Sequence, residues 1–398
     1  MERDAQCQVV IAGGGHAGLL LGCALAQHDF RVMVVEPQPA ARIAAAPPDG
    51  RSLALLAGSV AAARRFGVWA AIAPAAAPIE RVEVTDVAGG GRVRYDSLAH
   101  GSGPFGFGIE HVALRAALLT RFQEVAGTGA LVRDQIAGLE RNHAGIVARL
   151  ASGGAIVAPL IVVADGRGSR VRALAGIGVD RWPYDQHALA LVLRHQRRQR
   201  GMVREWLRPG GPLATLPLPS GRLGITWAER SAEAQHLVAL PAPQLAAALS
   251  AATEGALDPI EIESGPSSHP LAAQHARGYV APRVALVGDA AHGVHPIHAQ
   301  GFNMGVADVA ALADALLHAR TRGLDLGSGE ALLPYARARR GDNTQRLWLT
   351  DGLVRLFTAE LAPLRAARSL ALDAIERLPP LKRLAVRHGM QAAGGGRA

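Results

Sequence analysis

Three glycines near the start of the chain have the spacing of a nucleotide-binding turn. Gly13, Gly15 and Gly18 follow a short apolar run and precede a helix-like stretch. In this G-x-G-x-x-G pattern the first glycine permits a tight turn, the second lets a pyrophosphate approach, and the third lets helix and strand pack closely. A second apolar run ends at Glu36, about 18 residues later, where an acid can bind an adenosine ribose. This order predicts a βαβ unit that binds a dinucleotide, rather than a glycine-rich turn without a ligand.

A second turn follows the apolar run 160–164. It begins with Asp165 and leads into a helix opened by a serine and two arginines, the second of which is Arg172. A strand-to-helix turn of this kind suits an anion, because the helix presents free N–H groups at its start. Taken alone, the pattern is equally compatible with a turn that binds nothing.

A third turn ends the apolar run that leads to Gly288-Asp289. Asp289 is placed to hydrogen-bond a sugar-like chain. Further on, Gly301, Phe302 and Asn303 open a long helix predicted over 303–319. The unpaired backbone donors of its first turn could meet a carbonyl-bearing ring.

Two more residues could face the same ligand. Arg51 opens a stretch, 51–69, whose apolar spacing predicts a helix, so it could contact phosphates as a fixed cation or simply be a solvated arginine. His111 lies near the start of a helix predicted over 110–125. It could face the ligand, cap the helix or be exposed.

The remaining pattern predicts the elements that must position these residues. Between about 186 and 262, short alternating runs divided by glycine, proline and serine predict an antiparallel sheet that covers a substrate. The other predictions are a loop over 37–48, a hairpin formed by 79–87 and 92–95, strands over 131–139 and 146–150, largely helical structure over 335–370 with a break at Pro363, and a basic amphipathic helix over 378–387.

Composition narrows the class of protein. The net charge is +9 over 398 residues, but Lys382 is the only lysine and no nucleic-acid-binding motif is present, so we expect no nucleic-acid partner.

No apolar run approaches the roughly 18 residues of a spanning helix, and the first strand begins too early for a signal peptide. The two cysteines lie in the first strand and helix as ordinary buried thiols. We therefore expect a cytoplasmic protein.

The three turns in this order resemble the single-component flavin monooxygenases of the p-hydroxybenzoate hydroxylase class, over essentially the whole chain. Within that class the C-terminal third is similar to the ubiquinone-biosynthesis hydroxylases of the UbiH/UbiF type. The similarity lies in HPIHAQGFNMGVADV at His295–Val309, in RRGDN, in TDGLVRLF and in LPPLKR. The chain departs from the family at His298-Ala299, where Ala-Gly is usual, and this segment borders the flavin ring in the family.

The resemblance implies an α/β protein, α+β overall: a Rossmann-like FAD-binding domain, an inserted antiparallel β-sheet substrate domain and C-terminal helices. The FAD-binding domain would comprise residues 1–75, 101–178 and 270–345. The substrate domain would comprise 76–100 and 179–269, and the helical region 346–398.

The resemblance also implies the contacts of FAD. The adenosine end would lie at Gly13, Gly15, Gly18 and Glu36, with Arg51 and His111 as further contacts. Asp289 would hold the ribityl and pyrophosphate region. Asp165 and Arg172 would stabilise the pyrophosphate loop and help NAD(P)H to dock. The residues that flank the isoalloxazine would be Pro296, Gly301, Phe302 and Asn303.

By analogy with the class, NAD(P)H reduces the flavin, oxygen forms a C4a-hydroperoxide, and its distal oxygen is transferred to a phenolic ring. The substrate expected from the resemblance is a prenylated phenol or quinol of ubiquinone biosynthesis. Such a substrate favours peripheral contact with the inner membrane face and membership of a biosynthetic complex. The sequence contains no second strand-bounded G-x-G-x-x-G turn that would give nicotinamide a Rossmann domain of its own. It contains no metal motif and no nucleophilic triad, and it identifies no catalytic base.

Three alternatives remain open from the sequence: hydroxylation of a soluble phenol, flavin-dependent halogenation, and a non-catalytic FAD-binding scaffold. Halogenation is disfavoured because it relies on an active-site lysine, whereas Lys382 lies in the C-terminal tail and no W-x-W pair is present. The intact cofactor motifs disfavour a scaffold.

Overall fold

The computed structural model describes residues 5–99, 103–141, 145–194, 201–359 and 361–389, so parts of the predicted segments at 1–4, 100–102 and 390–398 lie outside it. The strands are, in chain order, β1 (Ala5–Gln6), β2 (Val9–Ala12), β3 (Val32–Val35), β4 (Ser52–Leu56), β5 (Ala76–Ile79), β6 (Arg81–Asp86), β7 (Arg92–Asp96), β8 (Gly106–Glu110), β9 (Leu131–Val132), β10 (Ile136–Arg141), β11 (Ile146–Leu150), β12 (Ala155–Ala158), β13 (Leu160–Val163), β14 (Val179–Arg194), β15 (Met202–Leu207), β16 (Leu213–Pro217), β17 (Arg222–Arg230), β18 (Glu261–Ala276), β19 (Val280–Ala281), β20 (Val284–Leu286) and β21 (His292–Gly293). The α-helices are α1 (His16–Ala26), α2 (Ala40–Ala44), α3 (Ala57–Arg65), α4 (Trp69–Ile72), α5 (His111–Ala126), α6 (Arg170–Leu174), α7 (Ser231–Ala239), α8 (Ala242–Ala252), α9 (Gln300–Thr321), α10 (Gly329–Thr358), α11 (Ala362–Arg377) and α12 (Pro379–Gly389).

A six-stranded sheet carries the three predicted turns. Its strand order is β19-β20-β13-β2-β3-β9, with β19 antiparallel to β20 and the other pairs parallel. β2 and β13 are buried along their whole length, as expected of parallel strands in a sheet covered on both faces. The carboxyl ends of parallel strands meet at one edge, so the turns after β2, β13 and β20 are brought together there.

An eight-stranded sheet forms the second layer, in the order β21-β18-β14-β17-β16-β15-β6-β7. Its pairs are antiparallel except β15 with β6. Strands from 81–96 and from 179–276 therefore pair with each other, in the segments where the substrate domain is predicted. Its exact boundaries stay a prediction.

The two faces of this sheet differ. One cross-strand row, buried beneath α7 and α8, consists of large apolar side chains: Leu189, Trp227, Leu213 and Trp206. The neighbouring row points to the opposite face, because successive side chains of a strand alternate. It consists of Ser267, Ala190, Thr226, Ala214, Glu205, Val84 and Val93. We call this second row the inner row.

Several predicted elements were wrong. The stretch 51–69 does not begin as a helix: Ser52–Leu56 is a strand paired with β8, and the helix starts only at Ala57. The apolar residues of this five-residue run are compatible with the period of a helix and with that of a strand. The run is a strand because it forms hydrogen bonds with β8. The predicted loop 37–48 contains α2, the predicted strand 131–139 is divided into β9 and β10, and 186–262 includes the helices α7 and α8.

The C-terminal helices are held against the eight-stranded sheet. Pro363 lies in the first turn of α11, which confirms the predicted break after α10. Arg368 of α11 forms a buried ion pair with Asp86 of β6, with Nε 3.3 Å from Oδ2. Within the described part of the chain, no helix is long and apolar enough to cross a membrane.

Candidate functional site

The glycine turn has the geometry that its spacing predicts. Gly13 has a φ of 102°, and a Cβ there would lie 2.6 Å from the Ala164 carbonyl oxygen. A Cβ on Gly18 would lie 1.9 Å from the carbonyl oxygen of Gly13, so helix α1 approaches the turn too closely for any side chain. A Cβ on Gly15, by contrast, would meet no atom within 4 Å. The turn is closed toward the protein and open at Gly15, where a ligand can approach.

Glu36 closes one side of this turn. Its Oε2 accepts a hydrogen bond from the Gly14 N–H at 2.8 Å and lies 3.1 Å from the guanidinium of Arg115. Arg115 also donates to the carbonyl oxygen of Gly14 at 2.8 Å. The sequence analysis missed Arg115, because it lies one turn into α5 with no motif around it. Its distance from Glu36 in the chain leaves no spacing signal.

The residues Arg51 and His111 come together around Asp49. The guanidinium of Arg51 donates to Asp49 through Nε at 2.8 Å, and Nδ1 of His111 lies 4.0 Å from the same carboxylate. His16 donates from Nε2 to the backbone carbonyl of His111 at 2.9 Å. Burial lowers the pKa of His16 to about 4 and that of His111 to about 3. Both imidazoles are therefore neutral at physiological pH, and Arg51 carries the positive charge.

The second turn uses its polar groups in two ways. Asp165 accepts from the Val171 N–H at 3.2 Å through Oδ2, while its buried Oδ1 has no hydrogen-bond partner among the described residues. Arg172 is buried and donates to the carbonyl oxygens of Ala290, at 2.8 Å, and Arg167, at 3.3 Å. Arg172 thus lies behind the turns and holds them, whereas Asp165 has an acceptor left for a ligand.

The third turn is supported by a buried network. Asp289 is half-exposed, and its Oδ2 lies 3.1 Å from Nε of Arg167. Beneath it, Asp308 of α9 accepts from the Gly288 N–H at 3.1 Å, from His292 at 2.6 Å and from Arg339 of α10 at 2.9 Å. Burial raises the pKa of Asp308, but His292 and Arg339 outweigh it and hold the pKa below its usual value. Sequence analysis missed this network, because its members are far apart in the chain.

The segment before α9 has an unusual backbone. Pro296 begins it, and His298 and Ala299 both have left-handed backbone angles, with φ of 57° and 52°. Phe302 packs edge-on against His16, with ring centroids 5.8 Å apart. Asn303 is buried, and its amide bonds the Leu56 N–H and the Ala54 carbonyl oxygen.

The predicted ligand contacts of this segment therefore do not all hold in the same way: some of its residues can face a ligand and others bind the protein itself. The side chain of Asn303 fastens α9 to β4 and is not free for a ligand. Gly301 lies in the first helical turn, and a Cβ there would contact only the side chain of Val294 at 3.6 Å. The backbone of this turn, half-buried at Gly301 and Phe302, can face a ring.

The fold and these turns define a dinucleotide-binding protein. The open position at Gly15 and the unpaired Oδ1 of Asp165 both fit such a ligand. A charged cavity of about 760 Å³ between the β6–β7 hairpin and α12 lies apart from these residues. No cluster of three or more metal-ligating side chains occurs within the described residues.

The chain belongs to the family described as FAD binding domain, which it matches over residues 6–343. It is 39% identical over 389 residues to a ubiquinone hydroxylase, UbiL, of Rhodospirillum rubrum, covering 98% of this chain and 90% of the relative. It is 33% identical over 386 residues to the 3-demethoxyubiquinol 3-hydroxylase of Escherichia coli, covering 96% and 98% of the two chains.

Solved structures share the fold. The p-nitrophenol 4-monooxygenase PnpA of Pseudomonas putida has a TM-score of 0.80 at 18% identity and covers 99% of this chain and all of its own. PqsL of Pseudomonas aeruginosa, a probable FAD-dependent monooxygenase, has a TM-score of 0.76 at 24% identity over 92% of this chain and 100% of its own. The family and the relatives confirm the predicted fold class, FAD as the cofactor, and the enzyme class, an FAD-dependent monooxygenase.

Proposed function

We propose that this enzyme hydroxylates the aromatic ring of a prenylated phenol or quinol in ubiquinone biosynthesis, with NAD(P)H as electron donor and O₂ as oxygen donor. The observation that carries the proposal is the similarity to two ubiquinone hydroxylases over nearly the whole of each chain. That similarity includes the sheet that would cover the substrate, and not only the nucleotide-binding turn.

The residues that would hold FAD follow from the geometry of the turns. Gly13, Gly15 and Gly18 would receive the pyrophosphate, and Glu36, oriented by Arg115, would bind the adenosine ribose. Further contacts would come from the residues along the cleft: Arg51, His111, Asp165, Asp289, Pro296, Gly301 and Phe302. Arg172 and Asn303 would act indirectly, by holding the turns in place. Bound FAD supplies the activation of O₂, while the protein positions the ring of the substrate and excludes water.

The inner row supports a flat substrate. At its centre, Ala190, Thr226 and Ala214 are small, in contrast to the leucine and tryptophan side chains of the adjacent row. The start of α9 reaches the same row, where Glu205 meets His298, and small side chains fill less of the space between the two than leucine or tryptophan would. We infer that the ring of the substrate lies in this space.

The C-terminal helices support contact with a membrane surface. Leu370, Leu378 and Leu384 are 69%, 50% and 50% exposed, and Arg377 and Arg383 are exposed beside them. Leucines and cations on adjacent exposed turns suit an anionic lipid surface. We infer that these helices bring the enzyme to the membrane that holds its prenylated substrate.

The test uses the purified, FAD-loaded protein with a prenylated phenol, a soluble unprenylated phenol, NADH and NADPH. We expect oxygen uptake coupled to reductant oxidation, and a product heavier by one oxygen atom, with the prenylated phenol. Rapid hydroxylation of the soluble phenol alone would contradict the proposed substrate. FAD binding without coupled oxygen consumption would contradict the proposed function.

A further inference from the structure

His298 occupies a backbone position that costs energy. Its φ of 57° and the φ of 52° at Ala299 lie in the left-handed region, which is unfavourable for a residue with a side chain. Gly301 follows two residues later, at the start of α9. Two consecutive residues with side chains in this conformation mean that the surrounding structure fixes the loop, and strain of this kind occurs at functional sites.

The imidazole of His298 is held by one specific contact. Its Nδ1 lies 3.2 Å from Oε2 of Glu205, and the carboxylate side chain is 7% exposed. Because Nδ1 donates to Glu205, Nε2 is the nitrogen that can accept a proton. Nε2 makes no hydrogen bond among the described residues, and the His298 side chain is 35% exposed. A buried acid thus orients a partly exposed imidazole whose second nitrogen has no hydrogen-bond partner among the described residues.

The pair lies where the substrate is proposed to bind. Glu205 is the one ionisable residue of the inner row, between Ala214 and Val84 in the register of the sheet. The contact with His298 therefore joins the sheet that would cover the ring to the segment that leads into α9.

We propose that His298, positioned by Glu205, is the catalytic residue that accepts the proton of the hydroxyl group on the substrate ring. This inference rests on the proposed function. The O–H bond of the ring hydroxyl breaks, its proton moves to Nε2, and its electron pair remains on the ring oxygen. The ring becomes more electron-rich and so a better acceptor of an electrophilic oxygen. The imidazolium then releases its proton to solvent.

The charges around His298 agree with this role. Burial lowers its pKa, but the Glu205 carboxylate outweighs burial and raises the pKa above its usual value. His295, on the same segment, is neutral, because burial lowers its pKa to about 4. On α10, Arg346 pairs with Asp342 at 3.1 Å, and Asp351 pairs with Arg355 and with Tyr184 of β14. Glu205 is thus the charge that tunes His298, which becomes a proton acceptor as pH rises through its pKa.

The experiment compares three variants in the FAD-loaded enzyme. His298→Asn removes the base with a residue that tolerates left-handed angles, and His236→Asn makes the same change on the exposed surface of α7. Glu205→Gln keeps the shape of the acid and removes its charge. A phenol with a short prenyl tail is the probe, and the readouts are its ultraviolet difference spectrum on binding and kcat, each as a function of pH.

We expect the wild type and His236→Asn to show the phenolate band on binding. His298→Asn should lose that band and about 100-fold or more of kcat, with the dissociation constant of the phenol changed only a few-fold. Glu205→Gln should shift the acidic limb of both profiles to lower pH, because it removes the charge that favours the imidazolium.

Two results would overturn the role of His298 alone: a phenolate band that persists in His298→Asn, or wild-type turnover without any such band. A wild type that hydroxylates no phenol would overturn the proposed function, and this inference with it. An acidic limb that does not move in Glu205→Gln would remove Glu205 from the proposal.

Discussion

A pair of alanine substitutions separates the structural from the ligand-binding role of the glycine turn. In Gly18→Ala the new Cβ would lie 1.9 Å from the Gly13 carbonyl oxygen, which is backbone and cannot move aside cheaply. In Gly15→Ala the new Cβ meets nothing within 4 Å, and the backbone angles, φ −77° and ψ −174°, suit alanine. Each variant adds one methyl group to the wild type, and only Gly18→Ala should destabilise the apoprotein.

The magnitudes follow from these contacts. Overpacking at residue 18 should lower the free energy of unfolding of the apoprotein by about 1–3 kcal/mol or more. At residue 15, alanine lowers the entropy of the unfolded chain but is a poorer N-cap for α1, and these two effects are of opposite sign and similar size. The apoprotein of Gly15→Ala should therefore keep its stability to within about 1 kcal/mol.

The affinity for FAD should fall in both variants. In Gly15→Ala the methyl group occupies the side from which the pyrophosphate approaches, and a steric cost of about 1–3 kcal/mol corresponds to roughly 5- to 150-fold in the dissociation constant. Thermal unfolding of the apoprotein and titration with FAD, followed by flavin fluorescence, measure the two quantities separately. Wild-type FAD affinity in Gly15→Ala would refute the assignment of this turn to the pyrophosphate.

Arg115→Ala should weaken FAD binding about tenfold or more in the same titration, because the acid that it orients becomes mobile, and Arg115→Lys should restore only part of the loss. Asp308→Asn should destabilise the protein by about 3 kcal/mol in denaturant unfolding, because Arg339 and His292 lose their shared buried carboxylate and, among the described residues, only Asp342 still pairs with Arg339. Since the pKa of Asp308 is lowered in the folded state, its contribution should be present above the usual carboxylate pKa and should disappear as pH falls through the folded-state pKa; a loss on raising the pH would contradict this. Serine at both Leu378 and Leu384 should reduce sedimentation with anionic vesicles about tenfold, whereas serine at the exposed Leu333 of α10 should not, and equal binding by all three proteins would argue against the membrane contact.

Local patterns in the sequence determined the nucleotide-binding unit. The turn at Gly13, Gly15 and Gly18, the strands that flank it and the acid at Glu36 lie within one short segment. Their roles depend on backbone conformation and on the spacing of apolar residues along the chain, both of which are local properties. The break at Pro363 was predictable for the same reason, since proline acts on its own segment.

The tertiary structure decided which charges act together. Arg115 reaches Glu36, Asp308 reaches Arg339, and His298 reaches Glu205 only because strands and helices distant in the chain are packed side by side. Long-range packing also decided the short run Ser52–Leu56, which fits either period and became a strand by pairing with β8. Composition and spacing identify a chemical group. Its partner depends on contacts that no local pattern encodes, and the partner determines the charge state and the role of the group.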